Sequence, residues 1–145
     1  MNFMIEALKE AKIAYSDNEV PVGAVIVYKN KIIASAHNEC EHLCDNTAHA
    51  EMLAIKRAQG YLGQKILDEC DIYVTVEPCA MCAGAMFNTK IKRIYIGCME
   101  PKTGCMGSVT DLSNKLPWKP EVYYGFCEDE CKEIMQSFFE NKRKK

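Results

Sequence analysis

The sequence predicts one α/β domain over residues 1–145, in which a mixed five-stranded sheet lies between two layers of helices in a three-layer α/β/α arrangement. One observation is that short β-branched and aromatic runs alternate with segments of helical periodicity. A second is that a tight turn joins the first two such runs, whereas helices separate the later ones, so antiparallel and parallel pairing are both expected. A third is length, since 145 residues can bury one substantial core.

The chain begins with a predicted helix and a β-hairpin. Apolar side chains recur at helical spacing from Phe3 to Tyr15, and the polar run at 16–18 would end that helix. Lys29 and Asn30 suit a tight turn between two strands. The predicted bounds are a helix over 3–15 and strands over 22–28 and 31–36.

A second helix is predicted over residues 47–56, which are rich in strong helix formers. Asp45, Asn46 and Thr47 are suited to cap its start, because their side-chain oxygens can accept hydrogen bonds from free backbone N–H groups. This start would place His49 and Glu51 in the first turn.

The second half of the chain predicts three strands and two helices. Pro78 suits the first position of the helix that follows the third strand, because its missing N–H is not needed there. The closing helix carries Ile134, Met135, Phe138 and Phe139, and at least one of the two adjacent phenylalanines is expected in the core. The predicted strands are 71–76, 93–97 and 122–126, and the closing helix is 127–142.

The composition is typical of a globular protein without membrane spans. Hydrophobic residues make up 48% and charged residues 26% of the chain, and no apolar run approaches the ~20 residues that a membrane helix needs. An acid at Glu6 stands where a secretion signal would be basic and then apolar. Together with nine cysteines, an odd number, these features predict a reducing, cytoplasmic location.

One imidazole and two thiols with a nearby carboxylate form the most informative motif. His49, Cys79 and Cys82 supply three of the four ligands that zinc prefers, and a vacant fourth position is typical of a catalytic site. Glu51 stands two residues from His49, where it is suited to move protons of a water. The pattern H-x-E with P-C-x-x-C is the signature of zinc deaminases that act on nucleobases. The alternatives are a redox Cys-x-x-Cys pair and a structural zinc completed by a distant cysteine.

The remaining cysteines, histidines and basic clusters have simpler interpretations. The cysteine pairs 40/44 and 127/131 have spacings that could ligate metal, but neither has partners at recognisable spacing, so reduced thiols are expected. His37 and His42 are expected at the surface or beside the ligands. Basic residues end the chain at 142–145 and also cluster at 90–93; each cluster could contact nucleic acid or be only a solvated surface.

Beyond the zinc motif, longer segments resemble the bacterial tRNA-specific adenosine deaminases of the cytidine deaminase-like superfamily. The resemblance covers nearly the whole chain and includes the phenylalanines of the closing helix. The segments that carry it are 19–25, Asn38, 47–51, 75–86, 102–104 and 107–108. Asn46 stands where the family usually has proline, and Glu100 where it usually has aspartate.

The resemblance implies a cytidine deaminase-like fold and hydrolytic conversion of adenosine to inosine at the wobble position of a tRNA anticodon stem-loop. The tRNA would be an arginine tRNA and the enzyme a homodimer with one Zn²⁺ per chain. Glu51 would be catalytic, Asn38 would bind the flipped base, and Pro21 and Val22 would wall its pocket. The full set of candidate substrate-binding residues is Pro21, Val22, Asn38, Ala48, Lys102, Phe138 and Arg143.

Two other functions remain open from the residues alone. One is deamination of a free nucleoside, nucleobase or nucleotide of the cytidine, guanine or dCMP type, which needs the same metal chemistry. The other is a non-catalytic, zinc-stabilised RNA-binding module, against which Glu51 argues, because a structural site has no use for a proton carrier. Asn38 could also be only a turn former.

Overall fold

The computed structural model describes residues 2–143, which form a five-stranded sheet with helices on both faces. Along the chain the elements are α1 Phe3–Ser16, β1 Gly23–Tyr28, β2 Lys31–His37, α2 Ala50–Leu62, β3 Cys70–Val76, α3 Ala80–Asn88, β4 Arg93–Cys98, β5 Glu121–Tyr124 and α4 Glu128–Arg143. A short 3-10 turn, Leu112–Asn114, precedes β5. The predicted three-layer α/β/α arrangement with a mixed five-stranded sheet is confirmed.

The strand order in the sheet is β2-β1-β3-β4-β5. β1 is antiparallel to both β2 and β3, whereas β3, β4 and β5 run parallel to one another. The β1–β2 hairpin closes through Lys29 and Asn30, whose φ angles of 49° and 63° are those of a type I′ turn. That turn matches the right-handed twist of the flanking strands, so the predicted tight turn is confirmed.

Alternate side chains of β1 enter two apolar clusters, one on each face of the sheet. Val25 and Val27 pack against Phe3, Met4 and Ala7 of α1, and α4 lies on this same face beside α1. The larger cluster on the other face combines side chains from the sheet with those of α2 and α3, among them Ile26, Ile72, Val74, Ala54 and Met86. No helix among the described residues is both long and apolar enough to span a membrane.

Four chain segments meet at one edge of the sheet. Gly23 begins β1 opposite His37 at the end of β2, and its N–H donates to Thr75 Oγ1 near the end of β3 at 3.1 Å. Val76 pairs with Cys98, so β4 ends at the same edge as β3. The segments before β1 and after β2, β3 and β4 therefore lie side by side, outside the carboxyl ends of the parallel strands, where α/β sheets bind ligands.

The structure places the starts of α2 and α3 later than the sequence predicts. Asp45 closes a local turn by accepting from the N–H of Thr47 at 2.8 Å, so it does not cap a helix. α2 begins at Ala50 instead, with His49 as its extended N-cap residue. α3 begins at Ala80, so Pro78 precedes the helix, because Cys79 has an extended backbone with ψ 177°.

The end of β5 also differs from the prediction. The strand stops at Tyr124, because Gly125 has a φ of 85° and turns the chain away from the sheet. Phe126 is therefore outside the strand.

Replacing Gly23 by alanine should destabilise the fold strongly. A Cβ there would lie 2.0 Å from Ala7 O and 2.6 Å from Ala11 N, so α1 would have to move away from β1. We expect the free energy of unfolding to fall by about 3 kcal/mol in chemical denaturation. Gly60→Ala is the matched control, since a Cβ at this helical position meets nothing within 4 Å and should be neutral or slightly stabilising. Equal stability of the two variants would contradict the close packing of α1 on β1.

Candidate metal centre and active site

His49, Cys79 and Cys82 come together at the edge of the sheet where the four segments meet. One donor atom from each lies within 4.8 Å of the other two. His49 Nδ1 is 3.7 Å from Cys79 Sγ and 3.5 Å from Cys82 Sγ. Within residues 2–143, no other group of three or more histidine, cysteine or acidic side chains has its donor atoms close enough together to hold a metal ion.

The positions of the three ligands follow from two helix N-termini. His49 is the N-cap residue of α2 and Cys79 that of α3, while Cys82 lies in the first turn of α3. α2 and α3 pack against each other, so their first turns are adjacent. The positive end of the α3 dipole favours negative charge on both sulfurs, which is the form in which cysteine binds a metal.

The pKa values of the two thiols are shifted in opposite directions. Hydrogen bonds with Cys82 and then with His49 lower the pKa of Cys79 to about 3. The bond to Cys79, followed by burial, raises the pKa of Cys82. One thiolate therefore stabilises the protonated form of its neighbour, and a divalent cation among the donors would favour deprotonation of both. An imidazole with two thiolates suits a borderline or soft transition metal rather than calcium or magnesium.

Glu51 lies one residue inside α2 and is 4% exposed. Burial raises the pKa of its carboxyl to about 7, although the nearby His49 imidazole opposes that effect. A carboxyl group with this pKa can take up or release a proton near neutral pH, which is what general acid–base catalysis requires.

Asn38 follows β2 and connects three segments around the ligands. Its Oδ1 accepts a hydrogen bond from the N–H of Ala50 at 2.8 Å, so it caps the first turn of α2 beside His49. Its own N–H donates to Val22 O at 3.2 Å. The side chain is 8% exposed, and no bond of its Nδ2 occurs among the described residues. Asn38 is thus more than a turn former.

Three more of the predicted substrate-binding residues lie in or next to segments that bond to the Asn38 segment. Pro21, Val22 and Ala48 are all buried. Ala48 O accepts from the N–H of Glu39, which fixes the residue before His49 against the segment that carries Asn38. Val22 and Ala48 are therefore joined by backbone hydrogen bonds to the segment of Asn38, and Pro21 adjoins Val22 in sequence.

The remaining substrate-binding candidates lie farther away or outside the described residues. Lys102 is exposed in the segment after β4, at the same edge of the sheet. Phe138 is 4% exposed and packs edge-to-face on Tyr15 and Phe139, in the α1–α4 layer, and only Phe139 is exposed at 42%. Only the backbone of Arg143 is described; its side chain, Lys144 and Lys145 lie outside the described residues.

The alternative basic and histidine groups do not join the site. Arg93 is at the opposite end of β4, where it pairs with Asp71 at 3.4 Å and Glu121 at 3.1 Å. His37 bonds to Glu10 on α1 at 2.8 Å, and His42 is exposed.

Glu19 and Glu77 are buried carboxylates that accept hydrogen bonds from backbone N–H groups near the site. The sequence alone assigns no role to either side chain. Glu19 accepts from Glu41 at 3.0 Å and from His42 at 2.7 Å, which fastens the segment between Asn38 and His49. Glu77 accepts from the segment after β4. For Glu77 the available signal was an acid between two apolar residues, Val76 and Pro78, because such an acid needs buried donors. Glu19 follows the polar Asn18 and carried no such signal.

Comparisons with known proteins agree with this geometry. A profile of the MafB19-like deaminase family matches residues 1–143. A tRNA-specific adenosine deaminase of Bacillus subtilis is 43% identical over 145 residues, which cover 99% of this chain and 90% of the relative. A solved structure from studies of A-to-I editing by tRNA:A34 deaminases at the wobble position of transfer RNA is 41% identical to this chain. The similarity has a TM-score of 0.88 and covers 92% of this chain and 99% of that chain. The expected cytidine deaminase-like fold is confirmed by that similarity.

The chain is also similar to an enzyme that is named for a free base. The structure of a guanine deaminase from Bacillus subtilis is 31% identical, with a TM-score of 0.65, over 81% of this chain and 69% of that chain. Proteins similar to this chain are therefore named for more than one amino-purine substrate.

Replacing both Cys79 and Cys82 by serine should abolish metal binding. Two of the three donors in the cluster would be lost, and neutral hydroxyls are poor replacements for thiolates. We expect elemental analysis to find a tightly held metal in the unaltered protein and almost none in the double variant, with a lower Tm because metal binding and folding are linked. Cys44→Ser is the control, since Cys44 is exposed and outside the cluster. Full metal content in the double variant would contradict the assignment.

Proposed function

The chain belongs to the tRNA-specific adenosine deaminase family, and from this premise we propose that it hydrolyses adenosine to inosine at the wobble position of a tRNA anticodon, with zinc as cofactor. The observation that carries the proposal is the cluster of His49, Cys79 and Cys82 beside the buried carboxyl of Glu51. Together they provide a metal-ligand set and a proton carrier in one site.

Zinc fits the donor set of one imidazole and two thiolates. His49, Cys79 and Cys82 would hold it, and three protein ligands leave one tetrahedral position open. When bound, zinc acidifies water and so makes hydroxide available near neutral pH.

Glu51 carries the proton transfers in the proposed reaction. Water adds its oxygen to C6 of adenine while the Glu51 carboxylate accepts the proton that the water releases. Glu51 then returns this proton to the ring nitrogen and carries the remaining proton of the new hydroxyl to the amine. The C6–N bond breaks and the amine leaves as ammonia, so that adenosine and water become inosine and ammonia. Its burial beside the ligands keeps bulk water from competing for these protons.

Asn38 supplies a fixed donor for the base. Because Oδ1 is held by the Ala50 N–H, the Nδ2 group is available to donate to an acceptor on the purine. Pro21, Val22 and Ala48 provide the apolar wall. Such a pocket combines apolar contact with a few oriented polar groups, as small-molecule sites do.

The RNA part of the proposal rests on the accessibility of the base and on exposed charge. Adenine in a stacked helix hides its C6, so an anticodon loop with splayed bases is the cheaper substrate. Lys102 is exposed at the site edge and is suited to a phosphate contact. An arginine tRNA and a homodimer, which the family resemblance implies, complete the proposal together with a cytoplasmic location, which the odd number of cysteines favours.

The second candidate is deamination of a free base, which the 31% identity to a guanine deaminase supports. We would offer purified protein a panel of anticodon stem-loops beside free adenosine, cytidine and guanine, and measure inosine, uridine and xanthine by mass spectrometry. The proposal expects inosine in a stem-loop and little product from the free compounds. Turnover of a free base with no inosine in any stem-loop would overturn it.

The Glu51→Ala variant should remain folded and metal-bound while its turnover rate falls ~10²–10⁴-fold, which is the usual contribution of general acid–base catalysis. The measurement combines single-turnover deamination with elemental analysis of the same preparation. Near-normal turnover with metal present would remove Glu51 from the mechanism.

Asn38→Ala and Lys102→Ala should separate base recognition from phosphate contact. Lys102→Ala should weaken stem-loop binding and reduce the slope of log K against log salt by about 0.7, because one counterion fewer is released. Asn38→Ala should impair deamination and leave that slope unchanged, since a neutral amide displaces no counterion. Binding titrations at several salt concentrations would contradict these roles if both variants shifted the slope equally.

A further inference from the structure

Glu77 is a buried carboxylate that the proposed mechanism does not use. It directly follows β3 and is 3% exposed. Oε1 accepts hydrogen bonds from the N–H of Glu100 at 2.9 Å and from the hydroxyl of Ser108. Oε2 accepts from the N–H of Met106 at 2.9 Å and from that of Ser108 at 3.0 Å. Four donors and no acceptor surround the group, as a carboxylate requires.

All four donors belong to one segment, residues 100–108, which we call the 100–108 loop. No lysine, arginine or histidine side chain within residues 2–142 forms a salt bridge with Glu77. The loop thus supplies the hydrogen bonds that compensate this buried acid, and the acid in turn satisfies three backbone N–H groups of the loop. Losing either partner would leave buried polar groups unpaired.

Gly104 provides an independent sign that the loop is fitted around this side chain. A Cβ at Gly104 would lie 2.2 Å from Cδ of Glu77 and 2.6 Å from the Glu100 carbonyl oxygen. Only a residue without a side chain lets the loop approach so closely. Gly104 is not at a positive φ, so close approach rather than backbone conformation is the reason for glycine here.

The contact links the metal centre to the exposed part of the loop. Glu77 is two residues before the ligand Cys79, and the N–H of Cys105 donates to Pro78 O at 2.9 Å. Pro101, Lys102 and Thr103 at the turn of the loop are exposed. The orientation of this exposed turn is therefore set relative to Cys79 through Glu77.

We propose that Glu77 is a positioning residue that holds the 100–108 loop in the conformation in which the loop contacts RNA next to the metal centre. The proposal rests on the proposed RNA substrate, which it deepens by assigning a residue that orients the RNA-binding loop. Glu77 itself touches neither RNA nor the reacting atoms, and it acts through the loop backbone and through Lys102.

Glu77→Gln tests the proposal because it keeps the size of the side chain but removes one acceptor. The new NH₂ group would face N–H donors, so at least one hydrogen bond to the loop is lost. We expect hydrogen exchange of the amides in the loop to quicken by about tenfold, with exchange in the central strands unchanged. Stem-loop Kd and KM should rise by about tenfold, while kcat at saturating RNA stays within about threefold.

Gly104→Ala is the second test, because it pushes the loop away from Glu77 while the chemistry of the carboxylate and of the metal ligands stays unchanged. It should reproduce the faster loop exchange and the higher KM, and combining it with Glu77→Gln should add little, because both act on one contact. Gly60→Ala is the control, since its Cβ meets nothing within 4 Å, and it should change neither quantity. If Glu77→Gln does not fold, Gly104→Ala alone decides the matter.

The outcomes separate this proposal from the proposed function. The positioning role is overturned if the unaltered protein is active and either variant, Gly104→Ala or Glu77→Gln, shows faster exchange of the loop amides but binds RNA as tightly as before. Unchanged loop exchange in both variants would overturn it as well. Failure of the unaltered protein to make inosine in any stem-loop would overturn the proposed function instead, and faster loop exchange in the variants would still show Glu77 as the anchor of the loop.

Discussion

The parallel alignment of β3 with β4 beside the antiparallel β1 determines where every functional segment of the protein lies. The parallel strands β3 and β4 end at the same edge of the sheet. The segment after β3, which contains Cys79, and the segment after β4, which contains the 100–108 loop, are therefore neighbours. Because β1 runs antiparallel to β3, the segment that precedes β1, with Pro21 and Val22, lies at this same edge. A different direction for any one strand would move its segment about 20 Å away, the length of a six-residue strand.

Backbone N–H groups near this edge are held by buried polar side chains. Asn38 binds the first N–H of α2, Glu19 binds two in the segment before α2, and Glu77 binds three in the 100–108 loop. Loops at a ligand-binding edge lack the hydrogen bonds of a strand or helix, so these side chains replace them. The loops can thus be ordered without enlarging the apolar core.

The sequence revealed the chemistry of the site more readily than its supports. His49, Cys79 and Cys82 could be predicted as a set because metal ligation restricts residue types and spacing. The hairpin turn at Lys29 and Asn30 was equally local. By contrast, the cap of α2 comes from Asn38, a residue distant in sequence, whereas local rules pointed to the nearer Asp45. The donors of Glu77 lie more than 20 residues away, and the burial of Phe138 beneath α1 depends on the packing of α4. Tertiary contacts of this kind leave no periodic signal in one sequence.

We propose that one imidazole and two thiolates of this chain hold a catalytic zinc. X-ray absorption at the zinc edge of the purified protein tests this claim most directly, because scattering distinguishes sulfur from nitrogen or oxygen. A zinc held by His49, Cys79 and Cys82 predicts two sulfur ligands at about 2.3 Å and nitrogen or oxygen ligands at about 2.0–2.1 Å. A shell of four sulfurs, or a shell without sulfur, would contradict the assignment of Cys79 and Cys82 as the two sulfur ligands.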